Sequence, residues 1–117
     1  MRNYKELKIW QQAHHFVLII YKVTEKYPKN EVYGLTSQIR RASVSISSNI
    51  VEGCGRKTNP DFLKYLQIAI SSAYEVEYQL LLSKDLQFID EKLYLELNDH
   101  LTSIIKMISS FIKNTEK

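Results

Sequence analysis

Two prolines and three glycines in 117 residues are too few for a turn-rich β fold, so long uninterrupted elements are expected. The single cysteine, Cys54, has no partner for an intramolecular disulfide, which excludes a secreted disulfide scaffold. No apolar run nears the ~20 residues that a membrane-spanning helix needs. The opening Met1-Arg2-Asn3-Tyr4-Lys5-Glu6 also lacks the apolar stretch of a signal peptide. A cytoplasmic location with no membrane partner is the expectation. Gly53 and Gly55 do not have the spacing of a nucleotide-binding loop, and HExxH, CxxC and GxSxG motifs are missing. The reading is therefore a protein that is not an enzyme and carries no cofactor.

What is present fits one folded domain over residues 1–117. Apolar residues make up 44% and charged residues 25%, the balance of a globular chain rather than a disordered one. A chain of this length buries roughly two-thirds of its unfolded surface, enough for a core without staples. Net charge is +3, unevenly spread. Residues 1–59 hold ten basic against four acidic side chains, and residues 60–117 six against nine. That asymmetry points to a basic face on the first half.

Four stretches carry helical periodicity. Trp10, Ala13, Val17, Ile20, Thr24 and Tyr27 form one stripe, widened by Phe16, Ile19 and Val23, and Pro28 ends it. Leu35, Ile39, Ala42, Ile46, Ile50 and Cys54 form the second. Within it Ser43-Val44-Ser45-Ile46-Ser47 alternates like a strand, but the helical pattern holds over the whole segment. Its serines would be small surface residues that let a neighbouring helix come close. Asn59 is a fitting N-cap with Pro60 in the first helical position, ahead of the stripe Phe62, Leu66, Ala69, Ala73, Val76, Leu80. Asp90 caps a fourth stripe of Leu93, Leu97, Leu101, Ile104, Ile108 and Phe111. Helices are thus expected near 7–27, 32–57, 60–84 and 90–114. Their short connections favour an all-α, antiparallel up-down-up-down four-helix bundle.

Candidate chemistry is thin. His14 and His15 are adjacent on a helix and diverge, so His14, Cys54 and His100 make a poor metal set, and no metal is expected. Glu75 and Glu77 diverge by about 200° and cannot both face inward. The informative charges are Arg40, Arg41, Arg56 and Lys57, with Lys64. They are either salt-bridge partners of acids such as Glu52 and Glu75, or a phosphate-tracking surface suited to guanidinium forks. Eight tyrosines, mostly on or beside the stripes, fit core and interface use. The first and third helices are apolar beyond a narrow stripe, which makes self-association a natural expectation.

Particular stretches resemble a known family. Leu7-Lys8-Ile9-Trp10-Gln11 and Tyr21 through Tyr27-Pro28 resemble the first helix of the bacterial four-helix proteins encoded in 23S rRNA intervening sequences. Gly34-Leu35-Thr36-Ser37-Gln38-Ile39-Arg40-Arg41-Ala42, then Ser45-Ile46 and Asn49-Ile50-Val51-Glu52-Gly53, look like that family's signature. Arg56-Lys57, Phe62 to Leu66, and Ala69 with Ser72 and Glu75 continue it. Val51 departs from the family's usual alanine, and Ile70-Ser71 from a basic residue followed by glycine. The resemblance implies structural roles for Trp10, Leu35, Gln38, Ser45, Asn49, Glu52, Gly53 and Glu75. It also implies a ring-like homopentamer, in which five copies would carry five times the +3 of one chain. Relatives include the accessory variability determinant of diversity-generating retroelements, so the implied partners are other copies, structured RNA or DNA, or a nucleic-acid enzyme. The expectation is nucleic-acid binding through Arg40, Arg41, Arg56, Lys57 and Lys64. Its alternative is a protein-interaction scaffold in which the arginines are structural.

Overall fold

The first helix buries Ile9, Ala13, Phe16, Val17, Ile20 and Thr24, so the first stripe faces the core as its periodicity requires, with Ile9 rather than the half-buried Trp10 at its start. In the computed structural model, which describes residues 2–116, four α-helices follow a short 3-10 turn at Tyr4–Glu6. They are α1 (Lys8–Thr24), α2 (Leu35–Cys54), α3 (Asn59–Asp85) and α4 (Glu91–Glu116). A second 3-10 turn, Lys29–Glu31, lies in the α1–α2 connection. No strand occurs among the described residues, and Ser43–Ser47 lies wholly in α2. Among the described residues, no helix is long and apolar enough to cross a membrane.

Each helix packs on its neighbours in chain order and α4 closes back on α1, while the diagonal pairs do not meet. With short connections this is the antiparallel up-down-up-down four-helix bundle. Its envelope is 44 × 24 × 20 Å. The four stripes meet in one core in which Phe16, Ile39, Ile50, Leu66, Val76, Leu101 and Ile108 are fully enclosed.

Helix ends differ in detail from the sequence expectation, for local reasons. α1 stops at Thr24 rather than 27: the Thr24 hydroxyl donates to the carbonyl of Ile20 (2.7 Å), and Tyr27 N–H turns back to Thr24 O (3.0 Å). α2 starts at Leu35, where Glu31 Oε1 accepts from Leu35 N–H (3.0 Å) because Gly34 has no side chain to do so. Thr58, not Asn59, caps α3. Its extended backbone lets the hydroxyl accept from Asp61 N–H at 3.3 Å, which moves Asn59 and Pro60 into the first turn. Asp90 does cap α4, accepting from Leu93 N–H at 2.8 Å.

α3 ends in a Schellman turn, with Phe88 N–H on Ser83 O and Gln87 N–H on Lys84 O, both 2.9 Å. Gln87 takes the left-handed position at φ 65°, which normally selects glycine. Gly53 has a packing role. A Cβ there would lie 3.0 Å from Phe62 Cδ1 and 3.1 Å from both Phe62 O and Tyr65 Cβ, so α2 and α3 meet backbone against side chain.

Two stability measurements follow. Gly53→Ala should destabilise the fold by about 1–3 kcal/mol in urea unfolding despite alanine's better helix propensity, because the crowding involves backbone. Gln87→Gly should leave the fold intact and raise stability by up to about 1 kcal/mol; a loss would show that the Gln87 side chain contributes more than its backbone strain.

A polar seam and a basic end as the candidate interface

The α2–α3 seam is apolar toward the core and polar toward its outer edge. Ser45 and Ser72 hydroxyls meet at 2.8 Å, and Asn49 Nδ2 donates to Ser45 O (2.8 Å) and Ser45 Oγ (3.0 Å). A residue with a small side chain is needed here, since helices in close contact leave room for little more than a hydroxyl. Farther along, Gln79 Nε2 donates to Glu75 Oε2 at 3.3 Å, while Gln79 Oε1 has no partner although the residue is almost wholly buried. Glu75 then lines a shallow groove of about 440 Å³ with Tyr33, Gln38, Arg41 and Ser45. Arg41 and Glu75 share that groove without forming an ion pair; among the described residues the recorded ion pair is Lys84–Asp85 at 3.8 Å. Glu77 is half-buried while Glu75 is exposed, so the two carboxylates do diverge.

The five cations singled out in the sequence do not form one patch. Arg40 is committed inside the chain. Its Nε donates to Thr24 Oγ1 (2.8 Å), its Nη2 to Tyr21 O (3.1 Å), and its guanidinium lies 4.5 Å from the Tyr21 ring centroid. It therefore ties the end of α1 to α2, satisfying a carbonyl at the negative end of the α1 dipole. Arg41, next to it, points outward and is exposed. Arg56, Lys57 and Lys64 are exposed near the α2–α3 connection, about 20 Å from Arg41 along the helix. There Arg56 donates to the Tyr65 hydroxyl and lies 4.7 Å from its ring centroid. Arg2, which sequence reasoning did not single out, joins them. Its guanidinium lies 4.3 Å over the Phe62 ring and its Nη1 reaches Asn59 Oδ1 (3.4 Å), while its N–H donates to Cys54 O (3.1 Å). Nothing in the local sequence around Arg2 signals this, because the contact spans more than fifty residues of chain.

The remaining candidates differ in placement. Leu35 and Gly53 are buried; Trp10 is half-buried, edge-on to Tyr4 (4.9 Å) and stacked on His14 (4.8 Å), pinning the first 3-10 turn to α1. Glu52 is exposed on the outer side of α2, beside Ser48 and Gly55. His14, Cys54 and His100 are not brought together, and no group of three metal-ligating side chains exists among the described residues. His100 packs against Phe16 and His15, and burial, then the charge of His15, lowers its pKa below the ordinary histidine value. Burial likewise raises the Cys54 thiol, against an opposing pull from Arg2.

Residues 5–110 match the sequence model of a family described as 23S rRNA-intervening sequence protein. Among solved structures, the chain is similar to a protein of unknown function from the S23 ribosomal protein family of Bacteroides thetaiotaomicron. The two share 28% identity at a TM-score of 0.82, over 90% of this chain and 95% of the other. No curated protein matches the chain.

The two adjacent arginines separate fold from surface. Arg40→Ala should lower unfolding stability by about 1–2 kcal/mol through its lost hydrogen bonds and ring contact, whereas Arg41→Ala should stay within about 0.5 kcal/mol for an isolated chain. Equal losses in urea denaturation at low protein concentration would contradict the distinction.

Proposed function

Because the chain belongs to the family of 23S rRNA-intervening sequence proteins, we propose that it works by binding rather than by catalysis, as a homo-oligomer, pentameric in its finer reading, that holds structured RNA or DNA on a basic surface. The observation that carries this reading is the gathering of Arg2, Arg56, Lys57 and Lys64 around the first turns of α3. Phe62 and Tyr65 support the two guanidiniums, which lose less freedom on meeting a phosphate than unsupported side chains would. The N-terminal end of α3 adds the positive pole of its dipole to the same region, against the charges of Asp61 and Glu52. Contacts of this kind hold the phosphate backbone and give affinity with little sequence choice. Copies assembled side by side would multiply the site, so weak contacts in one chain become a substantial positive field in the ring.

A second reading has its own support. Arg40 is held within the chain, and Tyr33, Tyr74 and Tyr78 are exposed, which suits a scaffold that binds a protein partner, such as a nucleic-acid enzyme, and touches no nucleic acid itself.

Fluorescence anisotropy with a structured rRNA fragment and a duplex DNA separates the two. Phosphate binding should weaken by about 10³-fold or more between roughly 50 and 200 mM salt if six or more contacts are made across the oligomer. Lys57→Glu should weaken it further without changing the fold. Absence of binding at the lowest salt overturns the nucleic-acid reading in favour of the scaffold.

A further inference from the structure

α1 and α4, the first and last helices, close the bundle through its sparsest helix–helix contact. The other three pairs each have a side-chain link across the seam. Arg40 joins α2 to α1, Ser45 and Ser72 join α2 to α3, and Lys84 lies 5.1 Å over the Tyr94 ring between α3 and α4. Across α1–α4 no hydrogen bond or ion pair occurs among the described residues. Two histidines from distant parts of the chain meet there instead. His15 of α1 and His100 of α4 have ring centroids 5.9 Å apart and planes tilted by 49°.

We propose that His15 and His100 form a two-imidazole site for a divalent ion of the late first transition series, zinc, nickel or copper, which clips α1 to α4. The site is independent of the binding readings above.

The separation suits such an ion. Nitrogens bound to one metal at about 2.0–2.1 Å put the two ring centres about 5–6.5 Å apart as the ligand angle opens from tetrahedral to linear. The observed 5.9 Å falls within that range. Phe16 meets the half-buried His100 edge to face at 5.3 Å, which holds that ring in place. His15 is exposed and free to turn toward an ion. Neither imidazole has a hydrogen-bond partner among the described residues, so their nitrogens are not committed within the chain. His14, although adjacent, belongs elsewhere: its ring is stacked on Trp10 at 4.8 Å with the planes 7° from parallel.

Donor chemistry sets the class of ion. Imidazole nitrogens select late transition metals over magnesium and calcium, whose shells are built from oxygen. No third ligating side chain joins the pair among the described residues, so water completes the shell. Glu96 lies one turn before His100 on the same side of α4 and is exposed, which adds negative potential where the cation would be. On α1 the flanking lysines, Lys8 and Lys22, are each seven residues from His15, about 10 Å along the helix. Folding alone brings the two histidines together, so binding is linked to folding. Free ion at about a hundredfold above its dissociation constant shifts the folding equilibrium about a hundredfold.

The test is calorimetric titration and thermal unfolding of the full chain with Zn²⁺, and with Mg²⁺ as the control. Wild-type protein should take up one Zn²⁺ per chain and gain Tm with Zn²⁺ but not with Mg²⁺. His15→Ala should weaken Zn²⁺ binding by about tenfold or more and lose the gain in Tm, while its metal-free Tm stays near that of the wild type because His15 is exposed. His14→Ala should bind as the wild type does. His100→Gln is a second ligand variant whose amide keeps a flat group against Phe16, and it too should lose the zinc-dependent gain. The assignment is overturned by absence of binding at millimolar Zn²⁺, by equal affinity in wild type and His15→Ala, or by a loss that follows His14→Ala instead. Half an ion per chain, the stoichiometry of a bridge between copies, overturns it as well.

Discussion

With no Cβ at Gly53, the backbone of α2 rests against Phe62 and Tyr65 of α3, and the relative height of these two helices follows from that contact. The rest of the seam depends on it. Ser45 meets Ser72 only because the helices are this close and at this level, and Asn49 braces Ser45 from within α2. The same contact brings Arg41 and Glu75 to one groove, and carries the short α2–α3 connection to the place where Arg2, Arg56 and Lys57 gather. A helix pair spaced by ordinary side chains would leave buried hydroxyls without partners, each a penalty of about 1–3 kcal/mol.

Two kinds of arginine result. Arg40 is half-buried and ties α2 to Tyr21 and Thr24 of α1, whereas Arg2 and Arg56 lie over Phe62 and Tyr65 and remain exposed. Arg41 and Lys57 are exposed and have no ring or hydrogen-bond partner among the described residues.

Reading the sequence placed the core and the helices but not all their ends. Thr58 rather than Asn59 caps α3 because cap selection depends on which side chain lies in extended backbone, a choice that a Thr-Asn-Pro run leaves open. The salt-bridge reading of the arginines put charge against charge, whereas the folded chain put charge against aromatic ring and backbone oxygen. Those partners come from distant parts of the chain: Arg40 contacts residues 21 and 24, and Arg2 residues 54, 59 and 62. No local spacing encodes them. Gly53 illustrates the same divide, since a glycine near a helix end looks like punctuation until the opposing Phe62 is seen.

What the sequence determined by itself is the all-α bundle, because the 3.6-residue period of four apolar stripes, with so few prolines and glycines, admits little else. Family membership is likewise carried by the linear order of residues, the family model matching residues 5–110. Tertiary structure alone decided which charges are committed and which are free, and which faces remain uncovered. That division has a physical cause: helical periodicity is a property of neighbours in the chain, whereas exposure and pairing depend on what another helix brings to the same place.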